Sequence, residues 1–253
     1  MIDPILIWLG MFVGTLIGLT GIGGGAVLTP LLILVVGVNP LHAVGTDLAF
    51  VAITKLVGAF QHQRHGTADL QLVGRLALGS VPGALLGSWL VSAIAATDAA
   101  DADALFMRVL GIALIVSAGA NLLCVFCPSR VQDTRPEPTP MVTTGLGLAV
   151  GFIVGITSIG AGSLLMAAFV LFYKRLPIAQ AVGVDVMHGA VLALAAAIAH
   201  GAAGRIESPM VVHLLMGSLP GVILGSWLCS RLPSRPLRVG IAAMLVISGL
   251  RLL

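Results

Sequence analysis

Two glycine-rich segments, at residues 18–25 and 155–162, carry the groups best suited to bind a small ligand. Glycine lets a ligand approach backbone N–H groups closely, and hydroxyl side chains donate hydrogen bonds to the oxygens of an anion. We predict that a helix begins again after each segment, at Ala26 and at Ser163, and that its free N–H groups and positive dipole end favour an anion. The alternative is that the glycines serve only close helix packing, which does not explain why the break is duplicated. The predicted substrate-binding residues are Thr20, Gly21, Gly23, Gly24, Gly25, Thr157, Ser158, Gly160, Gly162 and Ser163.

Several ionisable residues, among them Asp47, Lys55, Asp185 and His188, lie inside apolar stretches, where a buried charge needs either a partner or a function. Lys55 follows Asp47 by two helical turns, and His188 follows Asp185 by one. Protonation of an Asp or a His would couple solute movement to a proton gradient. Equally, an Asp47–Lys55 or Asp185–His188 contact would only hold helices together, or the two carboxylates would bond their own helix starts. We predict the four as coupling or gating residues and leave the structural alternative open.

The composition places these residues in a membrane. Of 253 residues, 58% are hydrophobic and 9% charged, and the mean hydropathy is +1.10. A soluble chain would need about a quarter charged residues to cover its surface. The apolar stretches are continuous and do not alternate, so they predict an all-α polytopic, multi-pass integral membrane protein rather than a β-barrel. The net charge of +3 is spread over short loops, which excludes a nucleic-acid partner.

The chain contains an internal repeat. Residues 79–90 recur almost unchanged as residues 217–228. In the same register Asp47 matches Asp185 and His62 matches His200; the two His residues close their helices, where a helix-end cap is expected. The proline-rich break between the repeats predicts three units, which are an N-terminal repeat 1–126, a linker 127–141 and a C-terminal repeat 142–253.

Each repeat is predicted to hold one glycine-broken helix and three transmembrane helices. The pieces of the first broken segment, 5–19 and 26–36, would be about 22 and 16 Å long, too short to cross a core of about 30 Å alone. The broken segments therefore either cross as kinked, discontinuous helices or return as re-entrant hairpins. If they return, most Lys and Arg residues collect on one side, as the positive-inside rule requires; otherwise the two sides are nearly equal. The returning topology predicts two inverted repeats, with both breaks meeting around a central cavity.

Three features resemble one known family. Residues 21–25 followed by Pro30, the segment 43–47, and the duplicated proline-glycine helix look like the TauE/SafE family of sulfite-exporter-like permeases, over nearly the whole chain. The resemblance implies a permease of the bacterial inner membrane that exports a small anion, such as sulfite or a sulfoacetate-like organosulfonate. The second half departs from the full glycine pattern, with Ser158 and Ala161 in place of two glycines.

Two other functions fit part of the pattern. A passive anion channel would use the same anion-attracting site. An intramembrane enzyme would use Asp185 and His188 as an acid–base pair, but no HExxH or GxSxG motif accompanies them, so we predict no enzyme. Cys124 and Cys127 lack a second pair or a nearby His, so no metal and no cofactor is expected. The predicted partners are a small anionic substrate, the lipid bilayer and coupled protons.

Overall fold

The computed structural model describes residues 3–20, 25–64, 68–96, 99–126, 138–173, 175–229 and 234–253. Within these ranges the chain is helical apart from short turns, and α2 continues as a π-helical turn, Leu32–Val36. The α-helices are α1 Pro4–Thr20, α2 Gly25–Leu31, α3 Pro40–Arg64, α4 Leu70–Ala95, α5 Ala99–Phe126, α6 Pro140–Thr157, α7 Ala161–Phe172, α8 Ile178–Ala202, α9 Ser208–Cys229 and α10 Ser234–Leu252. Most of the predicted linker 127–141 lies outside the described residues, and α6 begins at its end.

Six helical stretches in the described ranges are long and apolar enough to cross a membrane, which confirms an all-helical, multi-pass membrane protein. They are Pro40–Arg64, Leu70–Ala95, Ala104–Phe126, Pro140–Thr157, Ala179–Ala202 and Ser208–Gly225. The set includes α6 and omits α10, whereas the sequence predicts a broken segment at 142–172 and a crossing at 237–253. Shorter apolar helices at Gly25–Val36 and Ala161–Phe172 match the predicted half-helices.

The two halves interlock through four main helix pairs. Helix α1 packs against α9, α4 against α6, α3 against α8, and α5 against α10. Because α6–α10 repeat α1–α5 in sequence, the α1–α9 pair has its counterpart in α6–α4. The other two pairs join each helix to its own counterpart. Exchanging the halves therefore leaves this set of four pairs unchanged.

Glycines bring the backbones of two of these pairs into direct contact. A Cβ on Gly79 of α4 would lie 1.9 Å from the carbonyl oxygen of Thr144 on α6. A Cβ on Gly217 of α9 would lie 1.9 Å from the carbonyl oxygen of Ile7 on α1. Lipid supplies no hydrophobic drive between helices, so such close contact is what holds membrane helices together. Packing therefore accounts for the glycines of the duplicated segment.

The same contacts give the relative directions of the helices. Gly10 meets Leu214 and Gly14 meets Ser218, so α1 and α9 run parallel. On α3, by contrast, the early residue Gly45 meets the end of α8, whereas the later Lys55 meets Asp185 near the start of α8. Helices α3 and α8 are counterparts in sequence and run antiparallel.

Candidate functional site

The second glycine-rich segment breaks the helix between Thr157 and Ala161. Ser158 and Gly160 have φ values of 59° and 102°, in the left-handed region that ends α6 and redirects the chain. Helix α7 begins at Ala161, so the prediction of a restart at Ser163 was wrong by two residues. The N–H groups of residues 161–163 belong to the first helical turn and have no partner within the helix.

The first half reaches this break through the start of α2. A Cβ on Gly25 would lie 2.6 Å from the carbonyl oxygen of Ser158 and 3.3 Å from Asp47 Oδ2, so only glycine lets the two segments meet so closely. A cavity of about 10 Å³, the size of about one water molecule, lies at this meeting point. It is lined by Gly25, Ala26, Val51, Lys55, Ser158, Gly160, Ala161, Gly162 and Ser163.

Asp47 ties the two halves together beside the cavity. Its fully buried Oδ2 accepts hydrogen bonds from Thr29 Oγ1 at 2.5 Å and from Ser158 Oγ at 2.8 Å. Thr29 lies on α2 and Ser158 lies in the break between α6 and α7, so one carboxylate joins both glycine-broken segments. Its Oδ1 has no hydrogen-bond partner in the described part of the chain. The expectation that Asp47 would bond its own helix start was wrong.

Lys55 faces the cavity and pairs with the other half. Its Nζ lies 3.3 Å from Asp185 Oδ2 and donates to the Asp185 carbonyl oxygen at 3.3 Å. A Cβ on Gly189 would lie 2.2 Å from this ammonium, so glycine makes room for it. The suggested Asp47–Lys55 contact was wrong, because two turns separate these residues by about 12 Å along α3.

His188 does not pair with Asp185. Its Nε2 lies 2.8 Å from Ser80 Oγ on α4, while Asp185 bonds Lys55. Its Nδ1 has no partner among the described residues. The suggested Asp185–His188 contact, and with it the acid–base pair of an enzyme, is therefore not formed. The serine on the neighbouring helix was missed, and its spacing along α4 gave no signal of this contact.

The predicted site residues fall into three groups. Those that line the cavity are Gly25, Ser158, Gly160, Gly162 and Ser163, and Lys55 from the predicted coupling set joins them. Thr157 does not, because its hydroxyl donates to the Ile153 carbonyl oxygen at 2.7 Å and accepts from the Ile159 N–H at 3.1 Å. The Thr20 side chain and Gly21, Gly23 and Gly24 lie outside the described residues.

Two hydroxyl groups contact each other at the start of α7. Ser163 Oγ lies 2.5 Å from Ser117 Oγ on α5, and both side chains are buried. Ser117 was not predicted, because its own helix contains no break or charge that marks it. Across the described ranges, no group of three or more His, Cys, Asp or Glu residues is placed to hold a metal ion.

Comparison with known proteins agrees with this architecture. Residues 6–252 match the family described as sulfite exporter TauE/SafE. The probable membrane transporter protein YjnA of Bacillus subtilis is 39% identical over 253 residues, which cover 98% of each chain. Two further relatives, YdhB of Bacillus subtilis and MJ0441 of Methanocaldococcus jannaschii, are also named probable membrane transporter proteins. YdhB is 29% identical over 98% of this chain and 99% of its own length. MJ0441 is 24% identical over 99% of this chain and 95% of its own length. No solved structure gives a significant match.

Proposed function

Because the chain belongs to the sulfite exporter TauE/SafE family and is a membrane transporter rather than an enzyme, we propose that it carries a small anion through the cavity between the two glycine-rich segments. The proposed cargo is a sulfur-containing anion such as sulfite or an organosulfonate. The proposed direction is export across a bacterial inner membrane, with proton coupling. The repeats 1–126 and 142–253 supply the two sides of the path.

The observation that carries this proposal is the set of donors around the cavity. Lys55, Ser158, Ser163 and the residues that begin α7 all line the same small space. The Ser158 hydroxyl donates to Asp47 and the Ser163 hydroxyl is paired with Ser117, so the donors left for an anion are the Lys55 ammonium and the N–H groups of the first turn of α7. Such donors are complementary to the oxygens of an anion. The nearby Asp47 Oδ2 already accepts two hydroxyl hydrogen bonds, which disperses its charge. A cavity of about 10 Å³ is too small for an oxyanion, so under this proposal the two segments separate when the anion binds.

Two contacts support re-entrant hairpins over kinked crossings. Thr143 Oγ1 at the start of α6 lies 2.5 Å from Tyr173 Oη at the end of α7. One continuous crossing would separate these residues by about 45 Å at about 1.5 Å per residue. A chain that returns on itself brings them together, with α7 running back towards the side where α6 began.

The ends of α3 and α8 support the same topology. His42 Nδ1 lies 2.8 Å from Glu207 Oε1, and the Glu207 N–H donates to Thr46 Oγ1 at 3.1 Å. If all eight apolar runs crossed the membrane, the α2–α3 and α8–α9 connections would lie on opposite sides. With two re-entrant hairpins they lie on the same side, which agrees with these two bonds. The antiparallel direction of α3 and α8 then makes the repeats inverted.

This topology predicts how single cysteines react in a cysteine-free background. Cysteines replacing Arg64 and Arg175 should be labelled from the cytoplasmic side by a membrane-impermeant maleimide. Cysteines replacing Asn39 and Ala203 should be labelled from the opposite side. With eight crossings, positions 39 and 175 would be labelled from one side and positions 64 and 203 from the other. That labelling pattern would overturn the inverted-repeat proposal.

Transport itself is tested in proteoliposomes loaded with radiolabelled sulfite, sulfoacetate, sulfate, phosphate or acetate. We expect sulfite or sulfoacetate to move fastest, to accumulate against its gradient when a pH gradient is imposed, and to stop accumulating when an uncoupler is added. Flux that only dissipates the anion gradient would identify the alternative, a passive channel. Absence of flux for every anion would contradict the proposal as a whole.

The proton-coupling residues are tested in the same vesicles. Replacing Asp47 or Asp185 by Asn should reduce pH-driven accumulation without a comparable loss of anion binding, because each variant removes a buried carboxylate that can carry a proton. Binding is followed by the thermal stabilisation that the anion produces in detergent. Unchanged accumulation in both variants would assign the two carboxylates a structural role.

A further inference from the structure

The connection between α8 and α9 holds one arginine in a defined position. Gly204 has a φ of 72° and donates its N–H to the Gly201 carbonyl oxygen at 3.0 Å, while the Arg205 N–H donates to the His200 carbonyl oxygen at 3.0 Å. These bonds form a Schellman motif, which ends α8 and turns the chain. A Cβ on Gly45 would lie 2.3 Å from the Arg205 carbonyl oxygen, so the turn is also seated against α3.

The arginine is buried without a counter-ion. Arg205 is 8% exposed, and its Nη1 has no hydrogen-bond partner in the described structure. Burial lowers the pKa of the guanidinium from its ordinary value, yet this group keeps its proton at physiological pH. A buried cation of this kind is costly unless something pairs with it.

The carboxylate closest to Arg205 in sequence is already engaged. Glu207 Oε1 lies 2.8 Å from His42 Nδ1, and the described ion pairs join only Glu207 to His42 and Asp185 to Lys55. No carboxylate of the described chain is therefore paired with Arg205. The positive charge is free to attract an anion from outside the protein.

His200 adds a second unpartnered atom beside this charge. The side chain is 0% exposed, and its Nε2 donates to the Gly155 carbonyl oxygen at 2.9 Å, so it does not cap its own helix at the interface as expected. Because Nε2 carries the hydrogen, Nδ1 of the neutral ring is an acceptor, and it has no partner in the described ranges. The two residues adjoin, because the Arg205 N–H bonds the His200 carbonyl oxygen.

We propose that Arg205 and His200 form a second anion-binding site at the outer mouth of the carrier, for a small oxyanion that retains one hydroxyl proton, such as hydrogen sulfite. The guanidinium bonds the charged oxygens, and the acceptor Nδ1 takes the hydroxyl hydrogen that a fully ionised anion lacks. This inference rests on the proposed function, because the site would load or release the anion that the central cavity carries.

The position of these residues connects the outer site to the cavity. Gly155, which bonds His200, lies one turn before the break that lines the cavity. Gly45, which touches Arg205, lies half a turn before Asp47 on α3. Both residues of the proposed site are therefore attached to helices, α3 and α6, that lead to the place where the two glycine-rich segments meet, on the side of the α8–α9 connection.

The test compares the two sides of the membrane with sulfite as the probe. In vesicles of defined orientation, Arg205→Gln should raise the half-saturating external sulfite concentration by at least about ten-fold, the loss expected for charge-assisted hydrogen bonds. The half-saturating internal concentration should stay within about two-fold of wild type. Arg205→Lys keeps the charge but loses the paired N–H donors of the guanidinium, so its half-saturating external concentration should lie between those of wild type and Arg205→Gln. Arg251→Gln, an exposed arginine on the same proposed side, is the matched control and should change neither value.

Three outcomes would overturn this site. The first is a folded Arg205→Gln whose half-saturating external sulfite concentration is unchanged. The second is an equal rise of the external and internal half-saturating concentrations. The third is an affinity for methanesulfonate, which has no hydroxyl proton, that depends on Arg205 and His200 as strongly as the affinity for sulfite does. If Arg205→Gln does not fold, the same comparison is made with Arg205→Lys and His200→Asn. In each, the half-saturating external sulfite concentration should rise relative to the internal one. Failure of the central-cavity proposal is recognised separately, because wild-type protein would then carry none of these anions.

Discussion

Replacement of Lys55 by Met is expected to abolish anion binding and to lower the stability of the folded protein. The ammonium is 7% exposed and Asp185 is 2% exposed, so the variant leaves a carboxylate buried without its cation. Removing one partner of such a pair costs about 3–5 kcal/mol. We expect a lower unfolding temperature in detergent and no further stabilisation by sulfite.

Two companion variants separate the ligand role of Lys55 from its structural role. Lys55→Met combined with Asp185→Asn removes both charges, so it should recover much of the lost stability while sulfite still fails to bind. Asp185→Asn alone leaves the ammonium without its partner, so sulfite should stabilise this variant more than it stabilises wild type. If the double variant binds sulfite with wild-type affinity, Lys55 is not part of the anion site.

The features that follow from local sequence were predictable. Continuous apolar stretches identify membrane helices by length alone, and glycine with Ser158 marks a place where the helix cannot continue. The duplication of residues 79–90 also indicated the repeat, although it did not predict that the two copies pack against α6 and α1. The beginning of α7 was misplaced because the first turn of a helix and the residues before it differ little in sequence.

The partners of the charged residues were not predictable in the same way. Helical spacing shows which side chains share a face of one helix, so it suggested Asp47 with Lys55 and Asp185 with His188. The structure pairs Lys55 with Asp185 instead, across the interface of α3 and α8. The other side-chain partners of these groups also lie on different segments of the chain, and a single sequence does not show which segments are neighbours. Thr29 and Ser80 were missed for the same reason, since each resembles an ordinary small polar residue in a membrane helix.

Replacement of Gly25 by Val is expected to abolish both sulfite binding and transport. The new Cβ would lie 2.6 Å from the Ser158 carbonyl oxygen, so the two glycine-broken segments must separate. Overpacking of this kind costs about 1–3 kcal/mol, and here the strain falls on the atoms that line the cavity. The displacement would also disturb the Asp47 carboxylate, which accepts hydrogen bonds from Thr29 on one segment and Ser158 on the other. Binding is measured by anion-dependent thermal stabilisation and transport by flux into proteoliposomes.

Gly74→Val is the matched control for this substitution. Gly74 lies within α4, and a Cβ there meets nothing within 4 Å, so the same side chain adds bulk away from the cavity. Both variants must elute as single folded species from size-exclusion chromatography before they are compared. If Gly25→Val does not fold, Gly25→Ala adds the same Cβ with less bulk and should weaken sulfite binding. Wild-type sulfite affinity in a folded Gly25→Val would show that the anion does not bind where the two segments meet, because that substitution cannot leave their contact intact.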